Sequence, residues 1–342
     1  MNFFKNLFKK PVLKRTVDNS GNVFNYLFQQ GEDCDQVNNA YGEFGKEPTN
    51  PIPVNGPRGE ILYLNKLRDE TNSPILFHRI TYTEVAGLTE AVDVFEIVNL
   101  NGQKWDILYF HMYHPKNSSH VPNLFKFTNS GSLFANLSVG LGISEFVNNF
   151  PKGLSTVINR FYGNIADLSK TVTNLTANNQ YIRPQTHLQR LLQVNNANKF
   201  FDSLVIDLAS SYPDNYFVNL LKSQSMHLHI LAHKVAQKKK SISKEYLNEI
   251  SMSTVIHKDP ALIDLAIKVI SSKNRDAHIA LKEINHEIMW PIYEGSNLLE
   301  MLNNTYGLLA IPYLLTAYLN PQTNKILKKY LMNEVERLIY TQ

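Results

Sequence analysis

The pair Asn101-Gly102, set between VDVFEIVNL and QKWDILYFHMY, constrains this chain more than any other feature. Both residues tolerate positive φ, which a type I′ turn requires, and the flanking runs are rich in Val, Ile, Phe, Tyr and Trp. The spacing predicts a β-hairpin with a two-residue loop. Its register sets Val98 opposite Trp105, Ile97 opposite Asp106, Glu96 opposite Ile107, Phe95 opposite Leu108, Val94 opposite Tyr109, Asp93 opposite Phe110 and Val92 opposite His111. Both faces are mostly apolar, so the hairpin is expected to be covered on both sides and central in its sheet. PILFHRITY, residues 74–82, reads as a neighbouring strand.

Three carboxylates interrupt these faces: Asp93, Glu96 and Asp106. A buried carboxylate needs a partner or its pKa rises. His78 and Arg79 are adjacent on the neighbouring strand, so they point to opposite faces and offer a partner to each. Two pockets are therefore expected to be the best places for chemistry: Asp106 with Arg79, or Glu96 with His78 and His111. The other reading of the same residues is structural ion pairing within a two-sided sheet.

Three of the 11 histidines, His111, His114 and His120, fall at the end of the hairpin. His111 and His114 are three apart and point to opposite sides while both stay in a strand. Pro115 makes the strand end nearby, and a bend there is the one way to bring them together. An imidazole poised at a strand end suits acid/base work; a histidine that only holds the turn is the plainer reading. No carboxylate sits at a chelating offset within the segment, so no metal is expected.

Other motifs argue mostly by what they lack. His229 and His233 have the i, i+4 spacing of two helical ligands, but Ile230 stands where HExxH has its glutamate. A helical wheel puts Leu228, Leu231 and Val235 on the core side and sets His229 and His233 on a solvated face with Lys222. Lys238, Lys239 and Lys240 form a basic run able to touch phosphate, read as a solvated loop. His278, Lys282 and His286 form a basic stripe beside Glu283 and Glu287. SVGLG lacks both GxGxxG and GxxxxGK[ST], and no GxSxG is present. No cofactor is expected.

From about Ser144 the pattern is helical to the end, without a fixed repeat. The fold class is therefore α+β, with a small hairpin-containing part followed by a larger all-helical one. The organisation is an irregular segment over 1–58 that carries a short amphipathic helix, a mixed α/β domain with an antiparallel sheet over 59–143, and an all-α domain over 144–342. Pro48, Pro51, Pro53 and Pro57 leave the first segment little room for regular structure.

Composition narrows the function classes. Hydrophobic residues at 43% and charged residues at 19% indicate a folded globular protein. Cys34 is the single cysteine, which excludes an intramolecular disulfide and thiolate-built zinc sites and fits a reducing cytoplasm. Tyr306 to Leu319 is too short to span a membrane and holds Pro312, so a buried, kinked helix is expected. Residues 1–10 alternate Phe3, Phe4, Leu7 and Phe8 with Lys5, Lys9 and Lys10, which permits weak membrane-surface contact. A net charge of +4 does not imply nucleic acid. The leading expectation is a cytoplasmic protein-binding or adaptor protein with a protein partner. The alternative is a hydrolase whose acid/base groups come from His111, His114, Asp106, His78 and Arg79.

Overall fold

The computed structural model describes residues 32–128, 150–161, 166–194, 198–284 and 300–341. The amphipathic segment at 1–10, SVGLG, His286 and Glu287 lie outside the described residues. Among the described residues there are six strands: β1 (Ile52–Pro53), β2 (Leu67–Asp69), β3 (Ile75–Thr83), β4 (Val92–Asn99), β5 (Trp105–His111) and β6 (Phe125–Phe127). Helix α1 (Gly56–Lys66) lies among them. Then come α2 (Lys152–Phe161), α3 (Ala166–Ala177), α4 (Gln185–Gln193), α5 (Asn198–Ser211) and α6 (Asp214–Leu221). The chain continues through α7 (Met226–Lys238), α8 (Lys244–His257), α9 (Pro260–Lys273), α10 (Arg275–Lys282), α11 (Ile311–Leu319) and α12 (Lys325–Tyr340). This is the α+β architecture of strands first and helices second. No helix of the described residues is long and apolar enough to cross a membrane.

The main sheet has the order β1-β5-β4-β3, so both hairpin strands are interior. β1 runs parallel to β5, and the other two pairs are antiparallel. The β4–β5 ladder holds the expected register from Asp93↔Phe110 through Val98↔Trp105. The turn differs from the expected type I′. Only Gly102 has positive φ, at 76°, and its amide bonds Asn99 O at 2.8 Å. Asn99 Oδ1 accepts from the Gln103 and Lys104 amides at 3.0 Å, while the Leu100 amide turns outward to Pro74 O at 2.8 Å. The Asn99 side chain thus supplies acceptors that a second left-handed residue would otherwise have to provide. Glycine at 102 is also needed for close approach: a Cβ there would sit 2.7 Å from Gln180 O.

Regular structure begins inside the proline-rich stretch expected to be irregular. Pro53 lies on an edge strand of two residues, and Pro57 lies in the first turn of α1, two places where a missing N–H costs nothing. Both sheet faces are covered. Phe95, Ile97, Leu108 and Phe110 pack under α1 with Tyr63 and Leu64. On the other face Val92, Val94, Ile107 and Tyr109 share one core with the helices that follow, and Leu76, Val98 and Trp105 pack on Phe150 and α2–α3 residues. Pro312 stands in the first turn of α11, directly after a 3-10 turn at Gly307–Ala310, so the break falls between two helical pieces.

Candidate functional site

β5 ends at His111 because residues 53–56 bind the chain that follows. The Val54 amide bonds His111 O at 3.0 Å, the Gly56 amide bonds Met112 O at 2.8 Å, and the His114 amide bonds Val54 O at 3.2 Å. Asn55 Nδ2 takes Pro115 O at 2.6 Å. This staple makes the bend that the strand needs. His111 Nδ1 then lies 2.7 Å from His114 Nε2, and both rings are buried.

The direction of this hydrogen bond follows from its far end. His114 Nδ1 is 2.8 Å from Glu32 O, a carbonyl that can only accept, so Nδ1 carries the proton. In the neutral His114 ring Nε2 then accepts from the N–H at His111 Nδ1, and the lone pair of His111 is left on Nε2. That atom has no hydrogen-bond partner and lies 3.6 Å from Glu90 Oε2. Burial, helped by His114, lowers the His111 pKa to about 4, so the ring is neutral at pH 7.

On the α1 side of the sheet, at the same end, a second group gathers. Arg79 from β3 forms an ion pair with Asp93 from β4. Glu60 from α1 is buried against Asp93; burial, then the charge of Asp93 and a hydrogen bond to it, push its carboxyl well above the usual range. Glu60 is thus the protonated member of a carboxyl pair and donates to Asp93. Tyr113 joins the two groups: its ring centroid is 5.5 Å from that of His111, and burial with Asp93, Glu90 and Glu60 raises its pKa.

Cys34 Sγ is 3.6 Å from His114 Nδ1. Burial and the nearby Glu32 and Asp35 raise its pKa, so it is held as a thiol and is not an activated nucleophile. Among the described residues no three His, Cys, Asp or Glu side chains gather as a metal site. His111 Nε2 and Glu90 supply two donors only.

The remaining sequence candidates lie elsewhere. His78 and Arg79 do face opposite sides, and each meets a carboxylate, but Arg79 takes Asp93 and not Asp106. Asp106 instead accepts from Arg190 at 2.5 Å and lies 3.4 Å from Lys46 Nζ. Glu96 does not reach His111. It accepts from His78 Nε2 at 2.7 Å, His187 Nε2 at 3.0 Å, Arg183 Nε at 2.7 Å and Arg183 Nη2 at 3.3 Å. Arg183 Nη1 continues to Asp207 at 2.9 Å, and the guanidinium stacks on Trp105 at 4.9 Å. Burial alone would raise the Glu96 carboxyl; Arg183 and the two histidines outweigh it and hold it well below the usual range. All four lone-pair directions of Glu96 are used, so the cluster ties the sheet to the helices and offers no free group to a ligand.

Sequence reasoning missed Arg183, His187, Arg190, Asp207, Glu60 and Glu90. A signal for three of them exists: His187 and Arg190 stand at i and i+3 within α4, with Arg183 just ahead of the helix, three basic residue types in one short segment. The solvated face assigned to His229 and His233 is wrong. Both are fully buried, with His229 Nε2 on Ser223 O at 2.8 Å and His233 Nδ1 on His229 O at 2.7 Å. The reason is that α7 packs against α4, α5, α6, α8 and α9, so its buried side is wide enough to take in His229 and His233, and its exposed side is the narrower stripe of His227, Lys234 and Lys238. Lys239 of the basic run is likewise tied, 2.8 Å from Asp214. His278 pairs with Tyr313 Oη at 2.7 Å. Comparison with known proteins finds no matching family model, no matching curated protein and no matching solved structure.

Proposed function

We propose that this chain is a cytoplasmic protein-binding or adaptor protein that docks a protein partner through its helical part. One observation carries the reading: the outer face of α12. The helix buries Leu331, Val335 and Leu338 on its inner side. Opposite them Ile326, Tyr330, Asn333, Arg337 and Tyr340 share one face, with Ile326 71% and Tyr340 86% exposed. Ile326 and Tyr340 are fourteen residues apart, about 21 Å along the axis. Tyrosine, arginine and a bare aliphatic side chain are the residue types that anchor interfaces, and this spacing suits a patch of ordinary interface size. A reducing compartment suits the lone thiol Cys34.

The test is capture of partners from the cells that make the protein, with the intact chain and with an Ile326→Asp/Tyr340→Ala variant. The expected result is a partner that cross-links to the intact chain, is lost from the variant, and leaves the unfolding midpoint of both unchanged. Equal recovery by the two proteins refutes the face. A hydrolase is the second reading, favoured by the unpartnered Nε2 of His111 oriented by His114. It expects hydrolysis of ester or phosphoester probes that His111→Gln abolishes while the fold is kept, and it falls if no probe is turned over.

A further inference from the structure

We propose that the helical part holds a second site, a pocket for a small organic phosphate, between the start of α8, the end of α9 and the 3-10 turn at Gly307–Ala310. The cavity has a volume of about 630 Å³, within the range of small-ligand sites. Its wall contains Lys240, Lys244 and Lys273 and, among the described residues, no aspartate or glutamate. One carboxylate lies close by, Asp214, and it is occupied by Lys239 and by the Ser243 amide at 2.6 Å. Lys273 Nζ is spent on the carbonyls of Gln237 and Lys239, a neutral partnership that leaves its charge uncompensated. Lys240 and Lys244 have no carboxylate partner among the described residues, whereas Lys46, Lys104, Lys116, Lys239 and Lys268 each have one.

The neutral lining continues the same preference. Serine, threonine and asparagine side chains surround the lysines, and Ser243 caps the fourteen-residue helix α8 by accepting from the Tyr246 amide, which leaves the Lys244 and Glu245 amides of the first turn without an intrahelical acceptor. These groups suit an anion rich in acceptor oxygens. The floor is different: Leu247, Leu308 and Leu309 are buried apolar residues, with Tyr306 beside them. A phosphate at the lysine end and a ring or short apolar body at the leucine end would fill both. Lys240, read from sequence as part of a solvated loop, becomes a phosphate contact. The proposal does not depend on the α12 face.

The test is calorimetric titration of the full chain with adenosine 5′-monophosphate, inorganic phosphate and adenosine. Saturable binding of the monophosphate is expected, weaker binding of inorganic phosphate by about tenfold, and none of the neutral nucleoside. A Lys240→Ala/Lys244→Ala variant, which changes two exposed side chains, is expected to weaken the monophosphate by about tenfold or more, while Lys268→Ala leaves it unchanged. Failure of both phosphates to bind, or equal binding to the double variant, overturns the site. Equal affinity for inorganic phosphate and the monophosphate overturns the part assigned to the apolar floor.

Discussion

Arg183→Met removes the cation at the centre of the buried network, and its cost can be worked from what it leaves behind. Arg183 is 1% exposed and donates to Glu96 twice, to Asp207 and to Phe150 O. Methionine fills much of the volume, so packing loss is small. What remains is Glu96 with two histidine donors and Asp207 with one hydroxyl, Ser211 Oγ at 3.3 Å. Breaking a buried pair in this way costs about 3–5 kcal/mol. Protonation of a stranded carboxylate sets a ceiling: at about 1.4 kcal/mol per pH unit above an ordinary pKa near 4, each such group can cost roughly 4 kcal/mol at pH 7 and roughly 1 kcal/mol at pH 5. The loss is therefore expected to be about 4 kcal/mol at pH 7 and about half that or less at pH 5. Urea unfolding followed by tryptophan fluorescence reads it directly, since Trp105 lies against the guanidinium. A loss below about 1 kcal/mol at pH 7, or one independent of pH, refutes the claim that Arg183 compensates buried negative charge.

Glu60→Gln is expected to act in the opposite sense. The Glu60 pKa is raised in the fold, so the folded chain holds a proton that the unfolded chain releases, and stability falls as pH rises from the ordinary glutamate range toward the raised value. Glutamine keeps the donor to Asp93 without the proton. Its stability should match the parent near pH 4 and exceed it at pH 8, and a variant less stable at every pH counts against the shared-proton pair. His111 and His233 both have pKa values lowered to about 4, by burial first in each case. Each ring then adds stability at pH 7 that is lost as pH falls from about 6.5 toward 4, on the order of 3 kcal/mol for the enclosed His233. Nuclear magnetic resonance titration of the imidazole carbons checks this; a midpoint near 6.5 for either ring shows that it reaches water.

How much was legible from sequence follows from how far apart the partners are. The hairpin register was legible because alternation and turn position lie within twenty residues of each other, and six residue pairs across β4 and β5 follow from them. The need of Glu96 for a cation was legible from its apolar neighbours. The identity of its partners was not, because Arg183 and His187 lie 87 and 91 residues away. The bend at Pro115 was visible, yet its cause is the distant run 53–56 that pairs beside it. The wheel failed for α7 because contact with five helices makes its buried side wider than the apolar residues alone mark out. These cases share a cause that also explains the architecture. The sheet's faces carry isolated carboxylates, and the segment RPQTHLQR answers two of them, Arg183 and His187 to Glu96 and Arg190 to Asp106. Shape alone leaves the seating of α4 on the sheet open to sliding, since apolar contacts are non-directional. The Arg183 guanidinium just ahead of α4 and the His187 and Arg190 side chains within it meet two carboxylates, and sliding the segment by one residue leaves buried carboxylates unmatched. The charges inside this protein therefore act as the key between its strand-containing and helical parts.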